Sequence, residues 1–285
     1  MRVTKAQLLF LVSCISVYVL FSTHAFASLE KEYPQRIISL SPDITEELYL
    51  LGAESKLVGC TVYCQRPPEA KKKEKVGTIL EVSVEKILAL KPDLVLAVSL
   101  TSPILREKLT NLGMRVVTFP SPKNFQEICE QFLELGRMIG KVQKAEEIIR
   151  PISKKIDSII NQVKSLRKPR VFVQIGTKPL ATINKDSFIN DFIEKAGGIN
   201  STKDLNNILY SRERIIKDNP EVIIVASMGI NGKQEIERWK KFNTLQAVRN
   251  DRIYSVDSEL LCSPTPVSFA ETLEKIVTLL HPENE

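Results

Sequence analysis

From residue 36 onward, short apolar runs alternate with segments whose apolar positions recur every three or four residues, the helical period. The apolar runs are typical of buried strands and lie at 36–40, 57–59, 94–98, 116–119, 170–175, 222–226 and 252–256. The amphipathic segments are typical of helices and lie at 41–51, 83–90, 104–112, 187–196, 211–217 and 269–280. Strands that alternate with helices in this way predict an α/β fold with parallel sheets.

The alternating pattern occurs twice, in residues 36–122 and 169–285, on either side of a different kind of segment. Residues 123–168 are almost continuously helical in pattern and rich in Lys and Glu, with one break at Gly140. Pro151 is expected to start a new helical segment or to kink the helix. The chain of 285 residues is long enough for two lobes. We therefore expect two α/β lobes joined by a long helical strut, without large clamshell closure, because a helix resists the rotations that a hinge needs.

One short pattern recurs at the same place in both lobes. The stretch VSVEKILALKPDLVLAV at 82–98 is matched by YSRERIIKDNPEVIIVA at 210–226. Ser83 and Glu85 thereby correspond to Ser211 and Glu213, and each pair is 128 residues apart (211−83 and 213−85). A Ser cap followed by a Glu in the first turn stabilises a helix, so helix capping by itself is one explanation of the repeat.

The first 27 residues carry the pattern of an export signal. Arg2 and Lys5 precede an apolar run at 8–21, and AFA at 25–27 is the small-x-small sequence that signal peptidase cleaves. The sequence therefore predicts a signal peptide at 1–27 and a periplasmic protein. The run LVSC at 11–14 also resembles a lipoprotein cleavage box, which would leave a lipid tether on Cys14. No later apolar run reaches the roughly 20 residues of a membrane span.

Histidine is almost missing from the part of the chain that would fold. The two histidines are His24, within the predicted signal peptide, and His281, near the C-terminus. Ser-His-Asp catalysis, Cys-His catalysis and HExxH zinc chemistry each need a histidine in the folded body. Neither GxGxxG nor GxxxxGK[ST] occurs, so these nucleotide-binding loops are unsupported as well. We interpret the chain as a binding protein without a cofactor rather than an enzyme.

The charge pattern does not indicate a nucleic-acid partner. The net charge of +6 falls to about +4 once Arg2 and Lys5 are subtracted with the signal peptide (6−2), which is too small a charge to favour nucleic acid. Glu46 and Glu47 lie opposite the apolar face of their helix. We therefore predict that these two carboxylates form a solvated surface pair.

Four cysteines and one tryptophan lie outside the predicted signal peptide. Cys129 shares a helix face with apolar residues, and Trp239 lies in a predicted helix, so both are expected in the core. Cys60 and Cys64 in CTVYC could form a disulfide in an oxidising compartment or could simply flank a loop. A zinc site would need two further ligands at suitable spacing, and the sequence places none nearby.

Several motifs, taken in order, resemble a known family. These are RIISLSPDITEELYLLGA, CTVYCQRPPEA, VGTILEVSVEKILALKPDLVLA, RVFVQIG, EKAGG, SRERI and LQAVRNDRIYSVD. Together they resemble the class III periplasmic binding proteins of ABC importers, the cobalamin and iron-siderophore group, from about Arg36 to the C-terminus. The resemblance implies two Rossmann-like lobes bridged by a long helix, with a ligand held in the cleft between the lobes.

The resemblance also implies a partner and a ligand. In this family each lobe presents an exposed glutamate to one subunit of a permease dimer, and these positions correspond to Glu85 and Glu213. Two equivalent lobes with the same charge suit a partner with two equivalent subunits. The expected ligand is cobalamin or a related corrinoid. A ferric siderophore is the alternative, and haem and molybdate are less favoured. We expect a monomer, and an exported enzyme on a similar fold would need an acid/base pair in the cleft.

The expected ligand-binding residues lie in loops at the carboxyl ends of the strands, where open α/β sheets bind ligands. They are Ser41, Pro42, Tyr63, Thr78, Ile79, Thr101, Gly176, Thr177, Asn207 and Cys262. Cobalamin-binding relatives line this cleft with aromatic rings, and Tyr63 matches one such position. At the positions where further rings would be expected, this chain has Ile79, Ile175 and Asn207. The SPTP segment at 263–266 lacks an arginine that is often found in siderophore-binding relatives.

Overall fold

The N-terminal lobe is built on a five-stranded parallel sheet. The structure, a computed structural model, describes residues 33–226 and 232–282, so the predicted signal peptide and Cys14 lie outside the described residues. The strands are β1 (Ile37–Ser39), β2 (Leu57–Cys60), β3 (Glu74–Lys75), β4 (Leu94–Val98) and β5 (Val116–Phe119). Their order is β3-β2-β1-β4-β5, and every neighbouring pair is parallel. All five carboxyl ends therefore lie at one edge of the sheet.

Helices cover both faces of this sheet. They are α1 (Pro42–Leu50), α2 (Val84–Ala89) and α3 (Pro103–Asn111), together with a 3₁₀ segment, Pro68–Lys72. Leu94 and Leu96 of β4 pack on the side of α1, whereas Val95 and Ala97 pack with α2 and α3 on the other side. Because successive strand residues point to opposite faces, this short apolar strand supplies both cores.

The C-terminal lobe repeats the design with a four-stranded parallel sheet. Its strands are β6 (Arg170–Gln174), β9 (Ile199–Asn200), β10 (Val222–Ala226) and β11 (Ile253–Val256), in the order β11-β10-β6-β9, and a hairpin of β7 (Gly176–Thr177) and β8 (Leu180–Ala181) follows β6. Its helices are α6 (Phe188–Lys195), α7 (Arg212–Asp218), α8 (Gly232–Lys240), α9 (Gln246–Arg249), α10 (Ser258–Cys262) and α11 (Pro266–Leu280). Trp239 is fully buried and donates from Nε1 to Gln174 Oε1 at 2.7 Å, which confirms its predicted place in the core.

The connection between the lobes is a helical hairpin, which corrects the prediction of one long helical strut. Helix α4 (Phe125–Ile139) ends at Gly140, whose φ of 76° is a left-handed conformation that glycine adopts without strain. Helix α5 (Val142–Val163) then folds back, and a Cβ on Gly136 would lie only 3.1 Å from the Ala145 Cβ. The sequence marked the break at Gly140 but not the reversal, because the direction after a left-handed residue depends on tertiary packing.

Each helix of this hairpin packs into both lobes. Phe125, Ile128 and Cys129 of α4 belong to the core of the C-terminal lobe, and the burial of Cys129 was predicted. Phe132, Leu135 and Ile139, further along the same helix, belong to the core of the N-terminal lobe. The hairpin therefore joins the lobes through two hydrophobic cores rather than through a flexible linker.

Helix α5 continues through Pro151, so the predicted new segment does not start there. The fold class is the predicted one: two Rossmann-like α/β lobes with parallel sheets and a helical connection. The boundaries at 36–122, 123–168 and 169–285 stay a prediction. None of the described helices combines the length and the apolar character that a transmembrane segment needs.

Candidate functional site

The predicted ligand residues of the N-terminal lobe follow four adjacent strands at the same edge of the sheet. Ser41 and Pro42 come after β1 and are buried, and Tyr63 comes after β2 with 51% of its surface exposed. Thr78 and Ile79 lie after β3 and are partly buried. Thr101, after β4, is fully buried, and its Oγ1 accepts the Val98 N–H at 3.3 Å. Of these side chains, Tyr63 offers the most surface to a ligand.

Ser41 directly precedes α1, but its side chain does not cap the helix. Its side chain makes no capping hydrogen bond to the backbone of α1, and its hydroxyl donates to the Asp43 carboxylate instead. Pro42 occupies the first position of the helix, where its fixed φ suits the first turn.

The predicted residues of the C-terminal lobe are spread over three loops. Gly176 and Thr177 form β7 directly after β6, and both are partly buried. Asn207 is exposed in the loop before α7, where its Oδ1 accepts the Leu209 N–H at 2.9 Å. Cys262 ends α10, and burial raises the pKa of its thiol to about 12. Contact of these residues with a ligand stays a prediction.

Arg66 joins the carboxyl edges of the two sheets. It follows β2, and its Nη2 donates to the backbone oxygens of Glu259, at 3.1 Å, and Ser263, at 2.8 Å. Both acceptors follow β11 in the other lobe. The same Nη2 lies 3.2 Å from Oε2 of Glu46. The segments that follow the strands of one lobe therefore meet those of the other at the carboxyl edges of the two sheets.

Glu46 and Glu47 are not a solvated pair, so that prediction was wrong. Glu47 is buried, and burial, with the nearby charges of Asp43 and Glu46, raises the pKa of its carboxyl well above the usual range. Burial also raises the pKa of Glu46, although the Arg66 guanidinium opposes the shift. Glu46 lies against Arg66, and Glu259 and Glu271 of the other lobe are close enough to disfavour its charge.

Large exposed apolar side chains lie at the same edge, although they are not among the predicted ligand-binding residues named above. Leu80 after β3 is 82% exposed, Leu100 after β4 is 71% exposed, and Ile104 in the first turn of α3 is 78% exposed. In the C-terminal lobe, Ile208 and Leu209 before α7 are about half exposed. Single exposed apolar residues are ordinary, but a group of them beside a cleft is typical of a binding surface. The sequence signal that could have indicated these exposed side chains is their position in polar loops directly after strands.

A tight turn holds Leu80 outward. The Thr78 N–H donates to the Glu81 oxygen at 2.8 Å, and the Glu81 N–H donates to Thr78 Oγ1 at 2.8 Å. Gly77 precedes the turn with a φ of 130°, and a Cβ there would come within 2.2 Å of the Glu81 oxygen. Only glycine fits this position, so the exposure of Leu80 results from an ordered backbone.

Cys60 and Cys64 are free thiols in this structure, and both are buried. The Cys60 sulfur lies 3.2 Å from Lys75 Nζ. Hydrogen bonding with Cys64 and then with Lys75 outweighs burial and lowers the pKa of the Cys60 thiol to about 6. The two cysteines therefore flank the loop that carries Tyr63. No group of three or more His, Cys, Asp or Glu side chains in residues 33–226 and 232–282 is arranged to hold a metal ion.

The repeated Ser-x-Glu has the same local geometry in both lobes. Ser83 Oγ accepts the Lys86 N–H at 3.2 Å, and Ser211 Oγ accepts the Arg214 N–H at 3.3 Å. Both glutamates are exposed in the first turn of their helices. The backbone N–H of each glutamate, and then the Ser hydroxyl, hold the carboxyl pKa below its usual range. Each lobe therefore presents one ionised carboxylate at an equivalent position.

A buried ionic network supports the start of α7. Glu235, which has no exposed side-chain surface, pairs with Arg212 and accepts from Arg238 Nη1 at 2.8 Å. The Arg212 guanidinium also lies over the Trp239 ring at 4.4 Å. Arg212 is the residue directly before Glu213, so this network fixes the first turn that carries the repeated carboxylate.

Comparison with known proteins identifies the family of the chain. The family model described as "Periplasmic binding protein" matches residues 37–260. The chain belongs to the periplasmic binding protein family. The chain is also 30% identical, over 89% of its length and 82% of the relative, to the "Uncharacterized ABC transporter substrate-binding lipoprotein YvrC" of Bacillus subtilis (strain 168). The resemblance inferred from the motifs is thereby confirmed.

Two solved structures extend the similarity to the whole fold. The periplasmic vitamin B12 binding protein BtuF of Vibrio cholerae superimposes with a TM-score of 0.76 and 27% identity, over 87% of this chain and 97% of that one. A possible iron-binding, periplasmic solute-binding protein of Staphylococcus epidermidis superimposes with a TM-score of 0.77 and 31% identity, over 88% and 100%. This periplasmic binding protein is therefore a substrate-binding protein of an ABC importer, with a small-molecule ligand, a permease partner and a location outside the cytoplasmic membrane.

Proposed function

We propose that this protein captures cobalamin or a related corrinoid and delivers it to the permease of an ABC importer. The observation that carries the proposal is a set of exposed apolar side chains near the carboxyl edges of the two sheets: Tyr63, Leu80, Leu100 and Ile104 from one lobe, with Ile208 and Leu209 from the other. A large macrocycle buries much apolar surface, whereas a small hydrated anion does not. Similarity to a vitamin B12-binding protein over most of both chains supports the same ligand class.

A ferric siderophore is the second candidate ligand. It is favoured by the similarity to the possible iron-binding protein of Staphylococcus epidermidis. Arg66 is a cation that lies between the lobes, and its side chain contacts two backbone oxygens and two carboxylates. An anionic siderophore would compete with those carboxylates for Arg66. The corrinoid proposal needs no such exchange and is therefore preferred.

Glu85 and Glu213 are proposed to dock onto the two permease subunits. The support is their equivalence: the same Ser cap, the same exposed first turn and the same ionised state in two lobes. The interaction of a first-turn carboxylate with the helix dipole would stabilise each helix by about 0.3–1 kcal/mol, but an Asp could provide the same interaction, so it does not require Glu in both lobes. We further propose that residues 1–27 are removed on export and that the mature protein delivers its ligand as a monomer.

The ligand proposal is tested with purified protein and cyanocobalamin, a ferric hydroxamate siderophore and haem. A ligand at 100 times its Kd should stabilise the protein by about 2.7 kcal/mol, which thermal unfolding detects. Leu100→Ser should weaken cyanocobalamin binding. Leu112→Ser is the matched control, because Leu112 is also exposed but lies at the far end of α3, at the opposite edge of the sheet. Stabilisation by the siderophore alone would replace the corrinoid proposal with the second candidate.

The docking proposal is tested by uptake and by binding to the permease in detergent. Glu85→Gln and Glu213→Gln should each weaken permease binding, and the double variant should weaken it far more, because two linked contacts share one binding event. Ligand affinity should not change. Glu146→Gln, at an exposed position on α5, is the matched control. A double variant that binds the permease as tightly as the wild type at low salt would leave helix capping as the explanation.

A further inference from the structure

Arg66 makes polar contacts that cross the cleft between the lobes. Its Nη2 reaches the backbone oxygens of Glu259 and Ser263 in the C-terminal lobe and the Glu46 carboxylate in its own lobe, and its Nε lies 3.8 Å from Glu259 Oε2. Its side chain is only 18% exposed. In the described residues Nη2 donates to the C-terminal lobe, whereas Nε and Nη1 are buried without a hydrogen-bond partner.

Carboxylates from both lobes face this one guanidinium. The carboxyl groups whose charge Arg66 stabilises are Asp43 and Glu46 on α1 and Glu259 at α10. The titratable groups next to these carboxyls are Glu47 on α1, Lys71 on the 3₁₀ segment, Asp257 before α10 and Glu271 on α11. Burial, and then the neighbouring acids, raise the pKa of Glu46, and Arg66 opposes that shift. Burial and Asp257 likewise raise the pKa of Glu259. Without Arg66, like charges of the two lobes would face each other across a partly desolvated gap.

We propose that Arg66 is a positioning residue that holds the two walls of the cleft at a fixed spacing by bridging the acidic groups of the two lobes. The helical hairpin joins the lobes through their cores, so the lobes do not separate without Arg66. Arg66 instead sets the angle between them at the carboxyl edges. The inference deepens the proposed function, because the spacing of the walls selects the size of the ligand. Its test needs no ligand, so it can fail independently of the corrinoid proposal.

The experiment measures the distance between the lobes in the ligand-free protein. Spin labels are attached through ketone-bearing amino acids at exposed positions 107 on α3 and 241 beyond α8, which avoids the native cysteines. At about pH 7.5, where the carboxylates tend to ionise, Arg66→Gln should broaden and lengthen the distance distribution relative to the wild type. Arg137→Gln is the matched control, because it removes an exposed ion pair with Glu134 within α4 and should leave the distribution unchanged.

Two further measurements separate positioning from general destabilisation. Lowering the pH to about 5 should narrow the Arg66→Gln distribution, because carboxyls with raised pKa values take up protons and the repulsion falls. Adding Glu46→Gln and Glu259→Gln to Arg66→Gln should restore the wild-type spacing at the higher pH. An Arg66→Gln distribution equal to that of the wild type would overturn the proposal. So would a broad distribution that neither acid nor the two neutralising substitutions narrows, because misfolding would then explain it.

Discussion

Replacing Glu235 with Gln tests whether the buried ionic network holds the first turn of α7. Glu235 has no exposed side-chain surface, whereas its partners Arg212 and Arg238 are 24% and 48% exposed. Gln keeps the shape of the side chain and one acceptor oxygen but removes the charge. Arg212 would then remain against Trp239 without its anionic partner.

The expected decrease in the free energy of unfolding lies between the values for buried and for exposed ion pairs. Removing one partner of a fully buried pair costs about 3–5 kcal/mol, and an exposed pair contributes about 0.2–1 kcal/mol. Because both arginines keep some contact with water and Gln retains one hydrogen bond, we expect a loss of about 1.5–3 kcal/mol, the range for hydrogen bonds to charged groups. The same change should loosen the segment that carries Glu213 and weaken binding to the permease.

Urea unfolding, followed by circular dichroism, measures this loss. If the free energy of unfolding falls by about 3 kcal/mol per molar urea, a loss of about 2 kcal/mol lowers the urea concentration at the unfolding midpoint by roughly 0.7 M. The matched control is Glu237→Gln on the same helix, whose carboxylate is 67% exposed and lies 3.1 Å from Lys240 Nζ. The control should move the midpoint by no more than the small contribution of an exposed pair. Equal midpoints for the two variants would refute the reasoning.

The pH dependence supplies a second check. Burial disfavours the charge on Glu235, but hydrogen bonds from Arg212, Gln174 and Arg238 outweigh it and hold the carboxyl pKa below its usual range. A carboxyl with a lowered pKa contributes stability above its unfolded-state pKa, and this contribution is lost as the pH falls through the folded-state value. The difference in the free energy of unfolding between wild type and Glu235→Gln should therefore shrink as the pH falls below 4.5, the unperturbed pKa of a glutamate.

Three further predictions follow from other parts of the molecule. Glu47→Gln should raise the thermal midpoint at pH 7.5 and have less effect at pH 5, because a buried carboxyl with a raised pKa destabilises the folded protein as the pH rises and the group ionises. No difference in the midpoint at either pH would contradict the burial of a charge there. Tyr63→Ala should weaken cyanocobalamin binding by about 0.5–1.5 kcal/mol beyond the lost contact area, by isothermal titration, and unchanged affinity would remove Tyr63 from the site. Intact mass of the exported protein should show cleavage after Ala27, and a lipid-modified chain that begins at Cys14 would contradict it.

Patterns that depend on neighbours in the chain could be predicted well. The strands at 94–98 and 222–226 were bounded correctly because a short apolar run between turn residues buries both of its faces. The starts of α2 and α7 were predicted because Ser83 and Ser211 cap helices through hydrogen bonds that span three residues. These interactions are local, so the sequence contains both partners side by side.

The candidate site was predicted only in outline. The rule that ligands bind at the carboxyl ends of strands placed Tyr63, Thr78 and Ile79 in adjacent loops of one edge. It did not show that Thr101 is buried or that Leu80 and Leu100 are exposed. Whether a loop side chain points inward or outward depends on the turn geometry, and the periodicity of strands and helices carries no information about it.

The sequence by itself determined two α/β lobes, the helical connection between them and the repeated Ser-x-Glu, because each of these follows from local periodicity and capping. Only the tertiary structure decided the reversal after Gly140, the burial of Glu47 and the role of Arg66. Arg66 meets Glu259 and Ser263 across 193 and 197 positions of the chain. No local pattern records such a contact, because it exists only when two separately formed lobes bring their carboxyl edges together.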